Sequence, residues 1–126
     1  MQFHIGDVLS VTTGKLLSRG GIGACYKILN YMTGDELHTH QLPRAVHASG
    51  PAILEQYPQL ANETGKGIDE QNIDAYLTAM EAKFGEMLEL KPLDNYEKKN
   101  PVQELMDMGH SAVVAVVTTD EPKEQP

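Results

Sequence analysis

Apolar and β-branched residues fill positions 6–13 (GDVLSVTT) almost without interruption, which predicts a first strand. Gly14 and Lys15 mark a turn. After Ser18, a candidate N-cap, apolar residues recur at Ile22, Tyr26 and Leu29, with Cys25 and Met32 beside them. That is helical spacing, and Gly34 supplies the stop. Residues 36–42 (ELHTHQL) alternate with period two and end at Pro43, predicting a short second strand near a sheet edge. Ser49-Gly50-Pro51 reads as a helix start, with Ala52, Ile53, Leu54 and Tyr57 on a short helix that stops before Pro58. Residues 58–68 are polar and glycine-rich, a loop.

The strongest amphipathic pattern follows. Asp69 is a good N-cap, Ile73, Tyr76, Leu77, Met80 and Phe84 form one stripe, and Gly85 closes the helix. Residues 86–91 predict a third strand, with Met87, Glu89 and Lys91 on one face and Leu88 and Leu90 on the other. Asn100-Pro101 starts a further short helix through Met108, ended by Gly109. Residues 113–117 (VVAVV) read as a strand buried on both faces, and residues 120–126 as a disordered acidic, proline-rich tail. The expected fold is α+β: a single layered domain over residues 1–119, in the order β-α-β-α-α-β-α-β, with helices packed on a mixed sheet.

Composition narrows the setting. A chain of 126 residues with 40% hydrophobic content fits one domain, and with no Trp and two Phe its core falls to Leu, Ile, Val and Met. No apolar run approaches the roughly 20 residues of a membrane span, and Met1-Gln2-Phe3-His4 does not open a signal peptide. Cys25 is the one cysteine, so no internal disulfide forms. A cytoplasmic protein is expected, with no membrane partner.

The net charge of −8 is unevenly spread. Residues 1–50 carry four Lys or Arg against three acidic residues, whereas residues 51–126 carry six against 15. Such a chain is poorly suited to grip a phosphate backbone directly. An acidic surface that includes Asp69, Glu70, Asp74 and Glu81 on the predicted 69–84 helix could instead engage a basic protein, a nucleic-acid-binding one included.

The first 50 residues hold the candidate small-ligand sites. Gly20, Gly21 and Gly23 lie at a predicted helix start with Lys15 and Arg19 before them, and helix N-termini present free N–H groups to anions. Arg44 follows Leu42-Pro43 on a rigid corner, from which it could clamp an anion or pair with Asp35. A phosphorylated small molecule is the ligand this set suggests. The standard signatures fail: a P-loop needs glycine at Leu9 and Ser or Thr at Leu16, and a dinucleotide fingerprint needs glycine at Tyr26. His38 and His40, two apart on a predicted strand, with His47 following, make an alternative metal site. Cys25, among apolar helix positions, reads as an inert thiol. No catalytic set and no cofactor emerges.

The stretch FHIGDVLSVTTGKLLS, followed by YKILNYMTGDELHTHQLPRA, resembles the N-terminal part of an uncharacterised family of small phage and prophage proteins, over about residues 3–60. The glycine density at residues 19–23 is higher than that resemblance leads one to expect. It implies no catalytic residue. It does imply a phage-type accessory protein acting in the host cytoplasm, a non-enzymatic inhibitor that binds or sequesters a host defence component. A metal-dependent hydrolase using the three histidines is the alternative, and a homo-oligomer built through residues 113–117 is compatible with either.

Overall fold

A computed structural model describes residues 1–112. Among these the chain is mostly helical, with five α-helices and a two-stranded antiparallel sheet. The mixed α+β class therefore holds, but the layered sheet does not. The predicted strand over residues 113–117 and the tail 120–126 lie outside the described residues.

Strand β1 (Gln2–His4) pairs with β2 (Met87–Glu89) in the register Gln2↔Glu89, Phe3↔Leu88 and His4↔Met87. The alternation expected around β2 is present: Leu88 and Leu90 are buried while Met87, Glu89 and Lys91 face out.

The predicted first strand is instead helix α1 (Ile5–Thr13). His4 caps it through Nδ1, which accepts from the Gly6 N–H at 3.0 Å. Ile5, Val8, Leu9 and Val11 are all buried, because α1 packs against three other helices, α2 (Gly21–Thr33), α3 (Leu42–Gln56) and α4 (Ile73–Phe84). A helix covered on every side loses the polar stripe that distinguishes it from a buried strand. Helix α2 ends as expected at Gly34, whose φ of 71° is left-handed.

The second predicted strand is also a helix start. Thr39–Gln41 form a 3-10 turn that runs straight into α3, with Pro43 in its first turn. Helix α3 thus begins well before Ser49-Gly50-Pro51, which lie inside it. Gly50 serves close packing: a Cβ there would sit 3.3 Å from the Val11 carbonyl oxygen of α1. The buried face of α3 is Ala45, Ser49, Gly50 and Ile53, three of them small. That seam carries little of the hydrophobic signal from which a helix is read.

A second 3-10 turn (Pro58–Asn62) occupies part of the expected loop and buries Leu60. Helix α4 starts at Ile73, four residues after Asp69, whose carboxylate instead accepts from the Gln71 and Asn72 N–H groups in a preceding turn. It stops at Gly85 as predicted. Helix α5 (Pro101–Ala112) starts at the expected proline and continues past Gly109.

Candidate functional site

The cations singled out in the sequence do not converge; each is drawn to a different part of the second half of the chain. Lys15 Nζ donates to the carbonyls of Gly65 at 3.0 Å and Ile68 at 2.5 Å. Arg19 donates to Glu81 at 3.0 Å and reaches the Asp74 carboxylate at 3.6 Å. Arg44 holds Glu104 through two bonds, Nε at 2.8 Å and Nη2 at 3.0 Å, and gives its remaining Nη1 to the Glu97 carbonyl at 2.9 Å. Its guanidinium lies 4.7 Å above the Tyr96 ring. The ordinary ion pair expected of Arg44 is present, but with Glu104 rather than Asp35.

Gly20, Gly21 and Gly23 stand at the α2 N-terminus, as the sequence suggests. Gly21 has φ 69°, which a side chain would strain, so the turn itself needs this glycine. Ser18 is not the N-cap. Its hydroxyl accepts from the Gly20 N–H at 3.0 Å and donates to Asp7, tying α2 to α1.

The acidic set is divided. Asp69, Glu70 and Asp74 are exposed on the turn and outer face of α4. Glu81 is half-buried between two partners: His4 Nε2 at 2.5 Å and Arg19. Because His4 Nδ1 accepts from the α1 backbone, the ring proton is on Nε2, and the same imidazole caps α1 and binds α4. His4, followed by Arg19, holds the Glu81 carboxyl below the usual carboxylate range.

His38 and His40 have ring centroids 6.0 Å apart. His40 Nε2 donates to the Pro101 carbonyl at 2.8 Å, anchoring the start of α5. His47 lies seven residues further on, within α3. Among the described residues no group of three or more His, Cys, Asp or Glu side chains is placed to hold a metal ion.

The surface that the sequence reading missed is an apolar cleft of about 480 Å³ between α2 and α3. Its lining includes Ile22, Cys25 and Leu29 from α2, Leu42 and Val46 from α3, and Leu16 before α2, with Lys15 and His47 as its charged or titratable members. Leu16 and Ile22, both at the cleft, are 52% and 55% exposed. Burial pushes the Cys25 thiol up, more than the neighbouring Ser10 hydroxyl lowers it, so it is a poor nucleophile. The signal that could have found the cleft is Leu16-Leu17: only Leu17 enters the core.

Residues 3–63 match the model of a domain of unknown function, DUF7736. That span runs from β1 to the second 3-10 turn and contains every described residue lining the cleft. It fits an uncharacterised family, as the resemblance of residues 3–60 implies. No curated protein and no solved structure matches the chain. No helix among the described residues is long and apolar enough to cross a membrane.

Proposed function

We propose that this protein acts by binding rather than turnover, and that its working surface is the α2–α3 cleft, which receives a short apolar segment of a partner protein. The observation that carries this reading is the pair Leu16 and Ile22, held more than half exposed over an apolar cleft in a chain with ample polar residues to cover it. The cations that would have served a phosphorylated ligand are each bonded within the chain, and Glu81 is withdrawn from the acidic face by His4 and Arg19. Both facts favour the cleft over the charged surfaces. The phage-type setting implied by the resemblance makes a host protein, inhibited or sequestered by capture, the partner class of this proposal.

Photo-crosslinking tests it. A photoactivatable side chain at Ile22 in the full chain should give discrete adducts in bacterial lysate. Leu16→Asp should abolish them, while Asp69→Lys with Asp74→Lys should leave them intact. Adducts that survive Leu16→Asp but vanish on charge reversal would transfer the function to the acidic face. Thermal stabilisation by a nucleotide that is lost in Arg19→Ala would restore the anion site.

A further inference from the structure

Among the described residues seven large hydrophobic side chains are exposed, and five of them fall in two places. Leu16 and Ile22 stand at the α2–α3 cleft. Val102, Leu105 and Met106 form a stripe on α5, at the i, i+3, i+4 spacing of a helix that docks in a groove. The stripe is held outward. Glu104 faces the body instead, buried and gripped twice by Arg44, and His40 holds the Pro101 carbonyl at the start of the helix. A buried ion pair adds little net stability over apolar packing, but it fixes orientation. Helix α5 has three apolar side chains with which to pack inward, yet its attachment uses a carboxylate.

The two patches complement each other, one a concave apolar cleft and the other a convex apolar stripe. Charge agrees with shape. The cleft lining contains Lys15 and no carboxylate, whereas α5 belongs to the acidic part of the chain and carries Asp107 exposed. The stripe cannot enter the cleft of its own chain, because the Arg44–Glu104 and His40–Pro101 ties turn it away from the body. The patches nevertheless adjoin: Pro43 lines both the cleft and a hollow that reaches Glu104 and Asp107. One two-fold axis can therefore present each patch to its counterpart on a second copy.

We propose that two copies of this chain associate about a two-fold axis, the α5 stripe of each seated in the α2–α3 cleft of the other. The proposal rests on the cleft being a binding surface, and makes a second copy an occupant with which any other partner competes. One three-residue stripe in one cleft is small against the roughly 1,200 Å² that specific interfaces bury. The two-fold arrangement makes the contact twice. Pairing of stripe on stripe would make it once and leave both clefts open. Each contact also sets acidic α5 against the near-neutral first half of the other copy, which avoids acid facing acid.

Sedimentation velocity of the purified full chain should show a monomer–dimer equilibrium. Leu16→Asp, and separately Leu105→Gln with Met106→Gln, should each weaken it about tenfold or more, at unchanged circular dichroism of the monomer. Mixing these two variants is decisive. The first lacks a working cleft and the second a working stripe, so a mixed dimer regains one intact contact and should form more tightly than either variant with itself. A photoactivatable side chain at Ile22 in the purified chain should give an adduct of twice the chain mass, crosslinked within residues 101–107. A chain that stays monomeric up to about 1 mM overturns the proposal. So does a dimer weakened by only one of the two variants, which would mean stripe on stripe or cleft on cleft, or a mixture that shows no recovery. If the purified chain stays monomeric while Ile22 still crosslinks in lysate, the cleft remains a binding surface and only self-association is lost. A dimer that behaves as stated, with no further adduct in lysate, supports this pairing and removes the host partner instead.

Discussion

Glu104 is 5% exposed and accepts from Arg44 twice and from Gln41 at 3.1 Å. The hydrogen bonds from Arg44, and then from Gln41, hold its carboxyl well below the ordinary 4.5, at about 2. A folded-state value below the unfolded one gives stability that is complete above the ordinary value and is lost as pH falls towards 2. The difference is worth on the order of 3 kcal/mol. Glu104→Gln keeps the shape but strands a guanidinium, so urea unfolding at pH 7 should show a loss of about 3 kcal/mol. The variant should also lose less than the parent between pH 5 and pH 2. Tyr76 acts on the opposite limb. Burial, and secondly its bond to Glu63, push it up to about 12. Its contribution is present below the usual 10 and is lost as pH rises towards 12, so Tyr76→Phe should flatten the alkaline limb and cost about 1 kcal/mol at neutral pH. The sequence made Arg44 visible, because Pro43 marks a corner. Its partner was not visible, since Glu104 lies 60 residues away and nothing local favours it over Asp35.

At the scale of elements, what was legible depended on how each helix is covered. Helices α2 and α4 keep a polar face and end at glycines, and their course and stops could be read from spacing. Helix α1 is enclosed and α3 presents small residues to it, so the first looked like a strand and the second appeared only from Ser49-Gly50-Pro51 onward. Gly50 is the decisive position. A methyl group there must push the Val11 carbonyl of α1 by a few tenths of an ångström, so Gly50→Ala should lower stability by about 1–2 kcal/mol despite its better helix propensity. Denaturant titration would show the sign. Helix α5 inverts the usual arrangement: its polar Glu104 faces the body while Val102, Leu105 and Met106 are 66%, 53% and 56% exposed. Leu105→Gln with Met106→Gln should therefore change stability by less than about 0.5 kcal/mol, far less than Glu104→Gln beside them.

Across the whole molecule, the charge asymmetry of the sequence has a structural use. The near-neutral first half and the acidic second half are joined where Lys15 meets the 65–68 turn, Arg19 meets α4 and Arg44 meets α5. His4 adds a fourth tie, to Glu81. The apolar core crosses the same boundary: Leu77, Met80, Leu88 and Leu90 are buried with residues of the first half, and β1 finds its one partner strand, among the described residues, in β2. The span matched by the family model, residues 3–63, contains the cleft yet lacks these counterparts. Without them Phe3 loses its partner Leu88, the Ile5 N–H loses the Glu86 carbonyl, and three cations lose their acceptors. A fragment of residues 1–63 should accordingly show no cooperative thermal transition by circular dichroism, whereas residues 1–112 should unfold in one step. Mixing the fragment with residues 64–112 should restore part of the transition, because the ties between the halves are side-chain and strand contacts that need no continuous backbone. A fragment of residues 1–63 that melts cooperatively by itself would mean that α1, α2 and α3 bury enough surface alone, and that the second half is an addition to a finished core.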